Sequence, residues 1–347
     1  MKINANQVTA LRILLLPFPL FLIYGSVSSR IWALIIFTLL GLTDYLDGLM
    51  ARKYGVTALG RLLDPIADKI FMAVTLIPLV DLGILPMWIV WPIFLREFLV
   101  TEMRRFMTPG QKGLKVTELA KIKTTIQMIG VGLILLTDTF PDKLITISFL
   151  SGLFLATLFL AIAIYSKSQS ISQRLKVALS LESLGLIIAV AFPAKTVIMI
   201  YGIIILLITL ISGAQYFTAC FQEVLKRGIQ CVFSLILSLI IPLFVLAILP
   251  FAPKDAHLLV VLILAIEFAV QGIDMWAVQE KKTDLSTLRR KFVLPFLFGS
   301  TGILFIAGVS ITGIMWYFLI ICTIFSIGYL IIDIWKHKEI FKQGDFF

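Results

Sequence analysis

Apolar runs of about 18 or more residues, separated by short polar stretches, fill almost the whole chain. They begin near residues 8, 31, 63, 87, 124, 145, 176, 197, 229, 257, 292 and 314. Each is long enough to cross roughly 30 Å of hydrocarbon as a helix. A membrane leaves no water for unpaired backbone groups, so a spanning segment is either a helix or a strand of a closed barrel. Barrel strands alternate apolar and polar residues, and no such alternation runs here. The expectation is an all-α polytopic membrane protein with about twelve transmembrane helices. The first run starts near Val8 and reads as a retained span rather than a cleaved leader.

Composition agrees with the pattern. Of 347 residues, 60% are hydrophobic and 14% charged, against about 25% charged in soluble domains. The outer loops of a twelve-span arrangement with both termini inside hold only Arg30, Lys143, Lys195 and Lys254, of 30 Lys and Arg in the chain. The rest gather on the other side, in stretches such as "EKKTDLSTLRRK" and "WKHKEIFKQ". That asymmetry places both termini in the cytoplasm and the protein in the cytoplasmic (inner) membrane. The net charge of +10 follows from this bias and from contact with anionic lipid, without nucleic acid. Cys220, Cys231 and Cys322 sit in apolar runs without metal-ligand spacing, and His257 and His337 fall at helix ends. No thiol or histidine chemistry is suggested.

One stretch breaks the apolar pattern, "TDYLDGLMARKYGVTALGRLLDPIADK", residues 43–69. Asp44, Asp47, Gly48, Ala51 and Arg52 are spaced as one stripe of a helix. Gly55 is a C-terminal cap and Thr57 a start signal for the next helix. On that second helix Gly60, Asp64 and Asp68 repeat every four residues and share a face. Two helices joined by a short turn can thus aim four carboxylates at one point on the cytoplasmic side. Any one of these aspartates alone would read as a solvated helix end. Four at matched spacing repel one another beside a low-dielectric layer and call for compensation. Hard oxygen ligands suit Mg2+ or Mn2+, one or two ions, which commonly bridge carboxylates to substrate phosphates. Gly48, Ala51 and Gly60 leave room for a ligand against the backbone. Arg52 and Arg61 bring charge for phosphate. The residue chemistry points to metal-dependent work on a phosphate ester at the membrane surface.

Those same eight positions, Asp44, Asp47, Gly48, Ala51, Arg52, Gly60, Asp64 and Asp68, resemble in full the signature of the CDP-alcohol phosphatidyltransferase family. The resemblance implies that the four aspartates surround two divalent ions and that Asp68 doubles as general base. It implies that Gly48, Ala51, Arg52 and Gly60 meet the CDP part of CDP-diacylglycerol. "NANQVTALRILLLPF" is similar to the opening of the branch that uses glycerol 3-phosphate, with Asn6, Thr9 and Arg12 in its Asn, Thr, Arg pattern spaced three apart, and adds Asn6 and Thr9 to the CDP-diacylglycerol side. "LREFLVTEMRRF" and "VTELAKIKTTIQM" resemble the same branch. They place Arg96, Arg104, Arg105, Lys121 and Lys123 near the motif, and Arg104, Arg105, Lys121 and Lys123 are the candidate acceptor residues, cations suited to an acceptor that carries phosphate. The implied reaction moves a phosphatidyl group from CDP-diacylglycerol to glycerol 3-phosphate, with a homodimer as the assembly. Phosphatidylglycerol, inositol phosphate or serine as acceptor is the alternative. A twelve-span transporter is a remote one, since a basic loop between spans two and three does not need two matched aspartate pairs.

The resemblance covers residues 1 to about 140. The family's first six or so spans end either at 145–166 or at "LLITLISGAQYF", closing at Phe217, with 145–193 then an inserted hairpin. The organisation expected is a transferase-like domain at 1–228 and an additional transmembrane region at 229–347. No second aspartate cluster follows Phe217, so a chain ending after Gly228 is expected to keep the chemistry. "TLRRKFVLPFLF" at 287–298 echoes "TALRILLLPFPLF" at 9–21 without a motif after it. Glu267 and Asp274 share a helix face in an apolar run and have no assigned role, and Glu182 is similar.

Overall fold

A computed structural model of the chain describes residues 5–54, 58–105, 118–168, 171–226, 228–251, 257–279, 310–336 and 338; in parts of these helices, residues 44–52 among them, only the backbone is described. The described residues form helices and turns, with no strand among them. In chain order the helices are α1 (Ala5–Leu15), α2 (Pro17–Ile23), α3 (Val27–Tyr54), α4 (Ala58–Asp81), α5 (Met87–Arg105), α6 (Glu118–Thr139), α7 (Lys143–Ser168), α8 (Gln173–Ala191), α9 (Ala194–Lys226), α10 (Ile229–Ile248), α11 (His257–Gln279) and α12 (Ile311–Lys336). The expected run starting near residue 292 lies outside the described residues.

By length and composition four described helices can cross a membrane: Lys143–Ser166, Ala194–Lys226, His257–Met275 and Thr312–Trp335. Shorter apolar helices cover Gln7–Ile23, Val27–Gly41 and Pro242–Phe251. Helices α4, α5, α6 and α8 match expected runs in position but carry charge along their length, including Asp64, Asp68, Lys69, Arg96, Glu97, Lys123 and Glu182. Apolar side chains cover the outside. Along α7, Leu144, Phe149, Leu155, Phe159 and Ile162 are exposed, a surface suited to lipid rather than water.

Local chemistry sets the helix ends. Pro17 has no N–H to donate, which divides α1 from α2. Gly83, at φ +70°, closes α4 in the left-handed conformation, and the N–H groups of Ile84 and Leu85 donate back to the Leu79 carbonyl. Asp142 accepts from the N–H groups of Leu144 and Ile145 and so starts α7. Ser172 caps α8 in the same way.

Around α4 the packing determines what the motif can do. Helix α1 lies against both α3 and α4, and α6 also touches both. Helix α9 packs along α5 and α6, α8 packs on α6, and α7 pairs with α8. Helix α11 lies along α4 and α5 and also packs against α12. One apolar core joins these elements, from Leu16 and Phe37 through Phe71 and Phe94 to Tyr201, Phe268 and Leu319. The region from residue 229 onward therefore shares its core with the helix that carries Asp64 and Asp68.

Candidate active site

Helix α4 begins with the second half of the motif. Gly60 is buried, and Asp64 and Asp68 follow at one-turn intervals with half-buried carboxylates. Helix α1 meets them one for one. The Thr9 hydroxyl donates to Asp64 Oδ1 at 2.9 Å. The Arg12 guanidinium, 1% exposed, stands 3.7 Å from Asp68 Oδ1. Thr9 and Arg12 are spaced three apart, so they share a face of α1. Asp44, Asp47, Gly48, Ala51 and Arg52 lie on α3, and the side chains among them are outside the described residues, as are those of Asn6, Arg61 and Lys121.

The donor set fits a divalent cation in kind. Two carboxylates one turn apart on α4 present hard oxygens, and the backbone of α3 carries two more aspartates three residues apart. Among the described residues no three acidic or His/Cys side chains are grouped as ligands, because Asp44 and Asp47 are not among the described side chains.

A polar seam continues from the motif between α4, α5, α6 and α9. Lys69, next after Asp68, donates to the Thr101 hydroxyl at 2.7 Å, and that hydroxyl donates to the Glu97 carbonyl at 2.6 Å. The Glu97 carboxylate is buried and accepts from Lys123 at 2.6 Å and from Arg96 at 3.1 Å. Arg96 also donates to the Ser212 hydroxyl at 2.9 Å. Its aliphatic stem lies across Gly213, where a Cβ would come within 2.6 Å of Arg96 Cγ. Glycine is needed there for close approach. The Arg104 guanidinium stacks over Tyr216, 4.3 Å from the ring centroid, and donates to its hydroxyl.

Of the expected acceptor residues, the structure therefore joins Lys123 to Glu97 and Arg104 to Tyr216. Arg105 is buried on another face of α5, 3.2 Å from Glu102 and 3.9 Å from Asp274 of α11. Three cations, Lys69, Arg96 and Lys123, gather around the Glu97 carboxylate, and Arg104 stands beside them on Tyr216. Sequence reasoning passed over Lys69, Glu97, Thr101, Ser212 and Tyr216. Glu97 was visible as the acid next to Arg96, whereas Tyr216 and Ser212 reach the seam only through the packing of α9.

The comparisons with known proteins bear on this site. The family model of the CDP-alcohol phosphatidyltransferases matches residues 2–165. A protein of Rickettsia typhi named CDP-diacylglycerol--glycerol-3-phosphate 3-phosphatidyltransferase is 36% identical over 142 residues, 39% of this chain and 78% of that protein. The chain belongs to the CDP-alcohol phosphatidyltransferase family. A Mycobacterium tuberculosis protein named probable phosphatidylglycerophosphate synthase is 39% identical over 142 residues, 38% of this chain and 65% of that protein. A Bacillus subtilis protein with the same name as the Rickettsia one is 39% identical over 116 residues, 33% of this chain and 60% of that protein. No solved structure matches the chain. The family match ends within α7. It contains α1 to α6, with the whole motif, whereas Ser212, Gly213 and Tyr216 of α9 and Asp274 of α11 lie beyond it.

Proposed function

We propose that this phosphatidyltransferase moves the phosphatidyl group of CDP-diacylglycerol to glycerol 3-phosphate, releasing CMP and forming phosphatidylglycerophosphate, at the cytoplasmic face of the inner membrane. The observation that carries the choice of acceptor is the seam beside Asp68, where Lys69, Arg96 and Lys123 gather around Glu97 and Arg104 stands on Tyr216. Several cations gathered at one place suit a small acceptor with its own phosphate. A zwitterionic acceptor such as serine would leave that charge unbalanced, and phosphatidylglycerol would bring only the single charge of a phosphodiester.

In this reading Gly48, Ala51, Arg52 and Gly60, with Asn6 and Thr9, hold the cytidine diphosphate. Asp44, Asp47, Asp64 and Asp68 hold two Mg2+ or Mn2+ ions, which supply charge neutralisation at the pyrophosphate when bound. Asp68 takes the proton from the acceptor hydroxyl. That oxygen attacks the phosphorus bearing the diacylglycerol. A P–O bond forms to the acceptor, the P–O bond to the CMP phosphate breaks, and CMP leaves with the electron pair. Arg12 keeps the Asp68 carboxylate oriented, and Thr9 does the same for Asp64. Lys123 and Arg104 hold the acceptor phosphate, so its hydroxyl is presented to Asp68. Helices α4, α5, α6 and α8 complete, with the apolar helices, a polytopic arrangement of about twelve spans with both termini inside.

The test incubates purified full-length protein with CDP-diacylglycerol and, separately, glycerol 3-phosphate, phosphatidylglycerol, inositol phosphate and serine. The lipid product is then identified by mass. Phosphatidylglycerophosphate with glycerol 3-phosphate alone supports the reading; product with another acceptor and none with glycerol 3-phosphate overturns it.

A further inference from the structure

The motif helix α4 and the helix that brings acceptor-side cations, α5, meet a third helix that lies beyond the family match. Helix α11 runs antiparallel to α4 along its whole length. At the end away from the motif, His257 Nδ1 lies 2.6 Å from Asp81 Oδ1. In the middle, Phe268 stacks flat on Phe98 of α5, centroids 4.0 Å apart, and lies 5.7 Å from the Lys69 ammonium. One turn further, Gly272 brings the two backbones so close that a Cβ would meet Ile66 Cδ1 at 2.6 Å. At the motif end, Asp274 faces Arg105.

Apolar packing alone would hold α11 in place through Phe268, Gly272 and Ile273. A buried ion pair adds little stability over well-packed apolar residues, because desolvation offsets the attraction. Asp274, 4% exposed, and Arg105, 2% exposed, therefore call for a reason other than stability. Their position supplies one. Arg105 ends α5 next to Arg104, and α5 also carries Thr101, the acceptor of the Lys69 hydrogen bond. With Glu102 on one side and Asp274 on the other, the Arg105 guanidinium ties this last turn to α11. Phe268 meanwhile forms a wall beside Lys69.

We infer that α11 is a working part of the transferase, with Asp274 and Phe268 as positioning residues that set the acceptor side through Arg105 and Lys69. This rests on the acceptor reading proposed above. It reverses the expectation that residues beyond Gly228 can be dispensed with, since such a chain would lose this wall.

The experiment uses the full-length protein in four variants, Asp274→Asn, Asp274→Glu, Phe268→Leu and Glu267→Gln. Glu267 is on the same helix and accepts from Ser326 of α12, so its variant serves as a control for the packing of α11 on α12. In Asp274→Asn the KM for glycerol 3-phosphate should rise about tenfold, as Arg105 loses its ion pair to α11, with little change in the KM for CDP-diacylglycerol. Phe268→Leu should show the same split, Asp274→Glu should restore most of the affinity, and Glu267→Gln should leave both KM values in place. An unchanged acceptor KM in Asp274→Asn overturns the inference. So does an equal rise in both KM values, or the same rise in Glu267→Gln. If the wild type uses a different phosphorylated alcohol, the acceptor reading fails by itself and the KM split on that alcohol decides the role of α11. A wild type inactive with every acceptor overturns both.

Discussion

Arg12 of α1 stands 3.7 Å from Asp68 of α4, and the two are 56 positions apart in the chain. Arg12 is almost fully buried while Asp68 is about one-third exposed, so the arginine approaches the carboxylate from inside the bundle and leaves its outer side to substrate. Arg12→Leu removes the buried charge that stands beside the carboxylate. Turnover should fall about 100-fold or more, the scale of a lost general base or its alignment. Arg12→Lys keeps the charge without the planar fork and should fall between. Full turnover in Arg12→Leu would remove this contact from the mechanism.

The reading of the four aspartates as metal ligands predicts metal dependence. Activity should vanish in EDTA and return with Mg2+ or Mn2+. Asp64→Asn keeps an acceptor for the Thr9 hydroxyl but gives up the charge, so it should require more metal for half-maximal rate. Full activity in chelator would remove the ions from the reading.

Asp68→Asn separates the base from the ligands. If Asp68 takes the acceptor proton, turnover should drop roughly 100- to 10,000-fold while CDP-diacylglycerol still binds. A titration of CDP-diacylglycerol binding beside the rate assay makes the distinction. A variant that turns over near the wild-type rate returns Asp68 to a purely structural place on α4.

The seam makes a contrasting demand. Lys123 and Arg96 share the Glu97 carboxylate. Removing Glu97 alone leaves several buried cations without their counterion, a loss that reaches about 3–5 kcal/mol for buried pairs. Glu97→Gln should therefore lower the melting temperature more than Lys123→Gln, whereas Lys123→Gln should raise the acceptor KM more. Melting curves and kinetics on the two variants give the order, and a reversed order would mean that the lysine is there for stability alone.

Much of this was legible in the chain. Apolar run lengths anticipate the positions of the described helices, since 18-residue runs have few other uses. Spacing four apart puts Gly60, Asp64 and Asp68 on one face of α4, and spacing three apart gives α1 a face with Thr9 and Arg12. Those are local rules of helix geometry. The pairing of Thr9 with Asp64 is not local. It depends on how α1 tilts across α4, and no spacing encodes that. The same holds for Arg105. Beside Arg104 in "EMRRF" it reads as a second cation for acceptor phosphate, while the 100° step between neighbours on a helix turns it to another face, onto Glu102 and Asp274. Tyr216 and Gly213 were illegible for a similar reason. A lone tyrosine or glycine in an apolar helix carries no mark of the arginine that lies across it.

Gly213 tests that last point. In a helix interior alanine is favoured over glycine by about 0.5–1 kcal/mol, so on propensity alone Gly213→Ala should stabilise α9. The structure opposes this, since the new Cβ would lie 2.6 Å from Arg96 Cγ, near the base of the side chain. The arginine must then shift as a whole, and it holds Glu97 and Ser212 at its far end. The two effects act on different measurements. Stability should change little, because helix propensity and the clash oppose each other. The acceptor KM should rise several-fold, because the cation arrangement around Glu97 is disturbed, while the KM for CDP-diacylglycerol stays near its starting value. Gly213→Ala combined with Arg96→Ala should show no further loss beyond Arg96→Ala alone, as expected when one substitution acts only through the other residue. Additive losses in the double variant, or an unchanged acceptor KM in the single one, would mean that α9 does not shape the seam through Arg96.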